Sequence, residues 1–308
     1  MLATGLAAVL LPLSMTACSG GDDAAAPSAQ PGGDCPAEPL SVVVSVDQWG
    51  GIVSQLAGQC AEVSTVVASS SVDPHDFEPA PKDAALFEGA QLIVLNGGHY
   101  DEWAAKLAAG SAPDAPVIDA TEVSADAVNA DHGNPHVWYD PAAVTAVADA
   151  VTAELGRLAP DAAAYFAERQ AEFGDALAPY HQIVGSLRAT AAGKTYAATE
   201  NLFDDMAAAV GLTNRTPQGY QAAAANESDP SPADLDAFLR LLTDRGVDVL
   251  IYNVQTEGSV PQQIRAAAEQ AGVPVVEVTE SMPPEAASFQ TWQVDQLSAL
   301  AEALGVGG

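Results

Sequence analysis

Short β-branched runs alternate along this chain with stretches of helical spacing, and that rhythm limits the fold more than any other feature. Residues 42–46 read Val-Val-Val-Ser-Val, a strand-like run, and residues 49–57 then place apolar side chains at helical intervals. Further strand-like runs fall at residues 63–68, 91–96 and 116–119, with helical stretches at 82–88 and 102–108. Such alternation predicts a largely parallel sheet covered by helices. Residues 141–158 and 161–190 are both helical in pattern, and the second stretch is unusually long, with Pro179 as a candidate kink. The alternation then restarts, with strands expected at 194–199, 247–252 and 273–278 and helices at 201–210, 232–245, 261–271 and 293–304. The expected fold class is α/β: two α/β lobes, residues 40–158 and 191–308, joined by a long spine helix over residues 159–190. The halves share an architecture without a recognisable sequence repeat.

Charge narrows the function classes. Lys and Arg number 10 against 41 Asp and Glu, a formal charge of -31 over 308 residues. A nucleic-acid partner is excluded, because phosphate contacts need a basic surface. The acidity reads as a solvated surface that keeps an exported protein dispersed.

The first residues read as an address. Residues 2–13 are an apolar stretch too short to span a bilayer as a helix, and they run into Ser14-Met15-Thr16-Ala17-Cys18. This resembles the lipobox of bacterial lipoproteins, which implies a signal peptide over residues 1–17, a lipid on Cys18 and an extracytoplasmic protein anchored to the outer face of the cell membrane. No Lys or Arg precedes the apolar run, so the true start is expected upstream of Met1. A plain cleaved signal peptide is the alternative. Residues 18–39 hold the lipidated Cys and a Gly-, Ala-, Pro- and Ser-rich tether. Cys35 and Cys60 are the two cysteines left in the body. An even pair in an exported protein predicts a disulfide, and their spacing is too wide for a Cys-x-x-Cys motif.

Five histidines are present, and two have conspicuous neighbours. His75 lies in Asp73-Pro74-His75-Asp76-Phe77-Glu78-Pro79, and His136 in Asn134-Pro135-His136-Val137-Trp138-Tyr139-Asp140-Pro141. Proline on both sides stiffens each loop, and stiff loops suit metal ligands, which must be preorganised. Glu200 and Glu280 each follow an expected strand, where open α/β sheets bind ligands and where either residue could instead cap a following helix.

The two Pro-His segments resemble the metal-ligand motifs of the zinc/manganese solute-binding proteins of ABC importers, with Asn134 where Asp is common. The likeness runs from about Leu40 to the C-terminus. It implies that Glu200, in Thr199-Glu200-Asn201-Leu202-Phe203, and Glu280, in Thr279-Glu280-Ser281, complete a ligand set with His75 and His136. One divalent ion, Zn2+ or Mn2+, would then lie in the cleft between the lobes, and the protein would deliver it to a membrane permease. Two neutral imidazoles and two carboxylates balance a divalent charge. His132 is a possible accessory ligand, His99 a loop residue near the cleft rim, and His181 a solvated residue on the long helix.

Two other functions compete. A secreted metal-dependent hydrolase would need an open coordination position and a general base, and the chain carries neither a His-Glu-x-x-His helix nor a Gly-x-Ser-x-Gly elbow. A surface adhesin with a metal site is the other. Imidazole with carboxylate argues against calcium or magnesium, and the lack of cysteine in the set argues against a soft thiolate site.

Overall fold

Strand β1 (Leu40–Val46) is buried along nearly its whole length and stands at the centre of the first sheet. The structure is a computed structural model and describes residues 34–68, 77–128, 133–226, 228–256 and 258–306. The expected signal peptide, Cys18, His75 and His132 lie outside the described residues. Strand β1 pairs in parallel with β2 (Ala61–Val67) on one side and β3 (Leu92–Leu95) on the other, and β3 pairs in parallel with β4 (Val117–Asp119). The order is β2-β1-β3-β4. A second sheet is built from β5 (Thr195–Ala198), β6 (Thr213–Asn214), β7 (Val249–Asn253) and β8 (Val275–Val278), again all parallel, in the order β6-β5-β7-β8. Both lobes therefore carry one topology, and each has a switch point beside its first strand, where neighbouring crossovers leave in opposite directions.

Local chemistry explains where the key helices start. Helix Pro141–Leu158 begins with Pro at its first position, and the Asp140 carboxylate accepts the Ala142 N–H at 2.8 Å. The second Pro-His segment therefore ends in a helix start. Helix Pro81–Phe87 also begins with Pro, but here Asp83 inside the first turn reaches back to accept the Ala80 N–H at 2.8 Å. The long helical stretch is two helices, Ala163–Ala176 and Ala178–Thr190, which meet at Leu177. Pro179 has no N–H to offer the Asp175 carbonyl, which interrupts the ladder there. Bonds from Leu177 N–H to Phe173 O and from His181 N–H to Leu177 O, each 3.0 Å, carry helical bonding across the junction. Phe166, Phe173, Leu177, Tyr180 and Leu187 form the buried stripe of this pair, and His181 is exposed.

The apolar core of the first sheet continues through Tyr180 and Phe173 into Phe203, Met206, Val276, Phe289 and Trp292 of the second half. A smaller core, around Phe238, Leu250 and Ile264, covers the far face of the second sheet. The last helix, Phe289–Ala303, packs on Ala178–Thr190 and also touches Asp47–Ala57 of the first lobe. Cys35 and Cys60 form the expected disulfide, with Cα atoms 5.0 Å apart. Among the described residues no helix is long and apolar enough to cross a membrane.

Three elements departed from the sequence pattern. Strand β6 has two residues and no apolar side chain, so no periodicity announces it. Helices Ala120–Val128 and Gln218–Ala224 are rich in alanine and polar residues, which gives a weak apolar stripe.

Candidate metal site

The carboxyl ends of β5, β7 and β8 converge on one cavity of about 610 Å³, lined on the other side by Gly133, Pro135 and His136. His136, Glu200 and Glu280 all line it. His136 comes from the first half of the chain. Glu200 leaves β5 at the second switch point, and Glu280 leaves β8.

The loop that carries His136 is fixed from below. Asn96, which follows β3 and is fully buried, donates from Nδ2 to the Pro135 carbonyl at 2.8 Å and accepts the Trp49 Nε1–H at 2.9 Å. Its own N–H goes to the Asp101 carboxylate at 2.7 Å. Burial raises the Asp101 pKa above the ordinary aspartate value, against the lowering pull of these hydrogen bonds. The turn between them needs Gly97, whose φ is 82° and whose added Cβ would meet the Asp119 carboxylate at 2.0 Å. The side chain of His136 is only 8 % exposed. It is held edge-on between Tyr100 and Trp138, with ring centroids 5.9 and 5.2 Å away.

His136 Nε2 lies 3.8 Å from Glu280 Oε1. That is too long for a hydrogen bond. Two ligand atoms bound to one zinc at about 2.1 Å stand roughly 3.4 Å apart at the tetrahedral angle, so the spacing is close to that of two ligands sharing an ion. The backbone at Glu280 is clamped: the Gln255 side-chain oxygen accepts the N–H groups of Glu280 at 2.5 Å and Ser281 at 2.9 Å. From the first lobe, Gln48 donates to the Glu280 carbonyl at 3.1 Å and to the Tyr100 hydroxyl at 2.9 Å. The Tyr139 hydroxyl lies 2.8 Å from both the Thr279 carbonyl and Gln296 Oε1. Its burial pushes its pKa far up, so it stays a neutral donor.

Glu200 faces the same cavity, but its carboxylate is engaged by its own lobe. Asn253 Nδ2 donates to Oε2 at 2.7 Å, and the Thr256 hydroxyl donates to Oε1. Among the described residues no group of three His, Cys, Asp or Glu side chains stands close enough to hold an ion. The structure thus brings His136 and Glu280 together and places Glu200 beside them. Neither glutamate caps a helix: the helices that follow start at Asp204 and Phe289, the second capped by Ser288. His99 sits in an exposed turn at a φ of 68°, pairs with Glu102 and does not line the cavity. Sequence reading missed Asn253, Gln255, Thr256 and Gln48 as supports, because isolated amides and hydroxyls carry no pattern. Asn134 stood in a motif, but only as a departure from it.

A cavity set between two parallel-sheet lobes of equal topology is a two-lobed α/β architecture. The fold likeness to solved structures agrees. The substrate-binding protein FpvC of Pseudomonas aeruginosa, solved in complex with Mn2+, superposes with a TM-score of 0.69 at 20% sequence identity, covering 87% of this chain and 99% of that one. The chain belongs to the ZnuA family, described as zinc-uptake complex component A, periplasmic, whose model matches residues 42–303. This is a family of uptake-complex components and not of enzymes. Similar curated proteins include the manganese-binding lipoprotein MntA of Halalkalibacterium halodurans, 28% identical over 144 residues, which covers 45% of this chain and 46% of that protein. This chain thus aligns with about half the length of MntA. The high-affinity zinc uptake system protein ZnuA of Bacillus subtilis is 24% identical over 235 residues, covering 71% of this chain and 72% of that protein.

Proposed function

We propose that this protein captures one divalent transition metal ion, zinc or manganese, outside the cytoplasm and delivers it to the membrane permease of an ABC importer. The approach of His136 Nε2 and Glu280 Oε1 to 3.8 Å across the cavity is the observation that carries the reading. His136, Glu280 and Glu200 would bind the ion from the described part of the molecule, and His75 would complete the set. Glu200 would turn off Asn253 and Thr256 to reach it. The family supports an uptake role, and its named relatives divide between manganese and zinc. A lipid on Cys18 would hold the protein at the membrane face, and residues 18–39 would give it reach. The domain division proposed is a first lobe over residues 40–158, a linking segment over 159–190 and a second lobe over 191–308.

Protein purified without added metal should carry zinc or manganese by elemental analysis and, once stripped, should rebind one equivalent of either in calorimetric titration. Binding of neither metal would end the metal reading. A host that lacks the gene should take up less of the cargo metal, and unchanged uptake would end the transport reading.

A further inference from the structure

We infer that Asn134 is the positioning residue of the cavity, fixing which ring nitrogen His136 presents and tying that ring to the second lobe. The inference rests on the proposed metal reading only for its functional consequence. Asn134 Oδ1 accepts the backbone N–H of His136 at 3.2 Å and lies 2.8 Å from its Nδ1. Asn134 Nδ2 donates to the Asn201 carbonyl at 3.1 Å and faces Asp205 Oδ2 at 3.4 Å. Turning the amide over would set an oxygen against two acceptors and an NH2 group against a backbone N–H. One orientation therefore satisfies both ends. Because Oδ1 can only accept, Nδ1 carries the proton of the neutral ring. The lone pair is left on Nε2, the atom that faces Glu280.

Asn134 and Asp205 are a matched pair. An Asp at position 134 would keep the acceptor for Nδ1. It would lose both donated bonds and stand as a second carboxylate beside Asp205 and the Asn201 carbonyl. The uncharged amide at 134 is what the acidic side chain at 205 requires. The second lobe thereby holds the ligand ring of the first through one side chain.

Two measurements test this. In metal-free, 15N-labelled protein, at a pH where the His136 ring is neutral, long-range proton–nitrogen NMR should show the Nδ1–H tautomer. Asn134→Ala should shift it toward a mixture. Titration with Zn2+ should show affinity falling by about tenfold or more in Asn134→Ala and Asn134→Asp, the range for loss of a partner that orients a metal-bound histidine. Adding Asp205→Asn to Asn134→Asp should restore most of that loss. An Nε2–H ring in the wild type, or an unchanged tautomer in Asn134→Ala, overturns the positioning role, and the wild-type reading needs no variant. Equal zinc affinity in Asn134→Asp with and without Asp205→Asn overturns the pairing. The tautomer is read without metal, so a wild type with an Nδ1–H ring that binds no zinc would count against the proposed function and support the role of Asn134.

Discussion

The imidazole of His136 and the carboxylate of Glu280 stand 3.8 Å apart, although one is carried by the first lobe and the other follows the last strand of the second. If they share an ion, removal of either breaks the bridge. Outer partners of a metal site cost 10–100-fold when lost, so His136→Ala and Glu280→Ala should each cost more than about 100-fold in zinc affinity. Wild-type protein at a hundredfold excess of zinc over its Kd should gain about 2.7 kcal/mol of stability, and the variants should gain almost none under the same conditions. Calorimetry and thermal melts with and without zinc check both.

If Glu200 joins the proposed ligand set, it should tilt the balance between the two metals. Oxygen donors suit manganese better than further imidazoles do, and zinc favours four ligands in a tetrahedron. Zinc still binds more tightly than manganese in most mixed sites, so the ratio is the quantity to follow. Glu200→Ala should weaken both metals, and Glu200→His should raise the preference for zinc. Parallel titrations at one pH and salt read the outcome, and unchanged affinities in Glu200→Ala would remove it from the ligand set.

Asp47 gives the fold a pH dependence. It opens helix Asp47–Ala57, accepts the Met282 backbone N–H from the second half of the chain, and lines a second cavity of about 350 Å³. Burial raises its pKa from 3.8 to about 6. The folded state therefore holds this proton more tightly than the unfolded chain. The stability linked to it is fully present below about pH 4 and is lost as pH rises through about 6. The loss is on the order of 2–3 kcal/mol. Metal-free Asp47→Asn should accordingly be more stable than the wild type at pH 7, with the gap closing toward pH 4. Urea unfolding across that range makes the comparison.

The Cys35–Cys60 bridge closes a loop around β1 and the helix after it, with a sequence separation of 25. In the chain-entropy account such a loop contributes about 3.5 kcal/mol. A Cys35→Ala/Cys60→Ala double variant should lose roughly that much in denaturant unfolding. The metal affinity should stay unchanged, since the bridge lies outside the cavity lining.

Much of this architecture was legible because β1, β3 and β7 are central strands with apolar runs. They are buried almost end to end, and the helix Pro141–Leu158 announced both of its ends through Asp140-Pro141 and the loss of pattern after Leu158. Of the residues expected at the site, His136, Glu200 and Glu280 line one cavity, and among these proline marked only the loop of His136. What remained hidden depends on contacts between residues far apart in sequence. Nothing local in Gln48 predicts that it reaches Glu280, and nothing in Thr256 or Asn253 predicts that they hold Glu200. The break at Leu177 was foreshadowed by Pro179, whereas β6 exists only because β5 offers it an edge to pair with.

The shared core has a mechanical corollary. Gln48 and Tyr139, both from the first lobe, end their hydrogen bonds on the carbonyls of Glu280 and Thr279, directly at the terminus of β8. Behind them the apolar interior passes from one lobe to the other without a seam. Swinging the lobes apart like jaws would expose that interior to water and tear the bonds at β8 together. The molecule is a clasp with a stiff back, so if His136 and Glu280 hold an ion, its release is cheapest when the work is confined to the lip, where displacement of Glu280 or of the turn at residues 134–136 would unfasten it and leave the spine at rest.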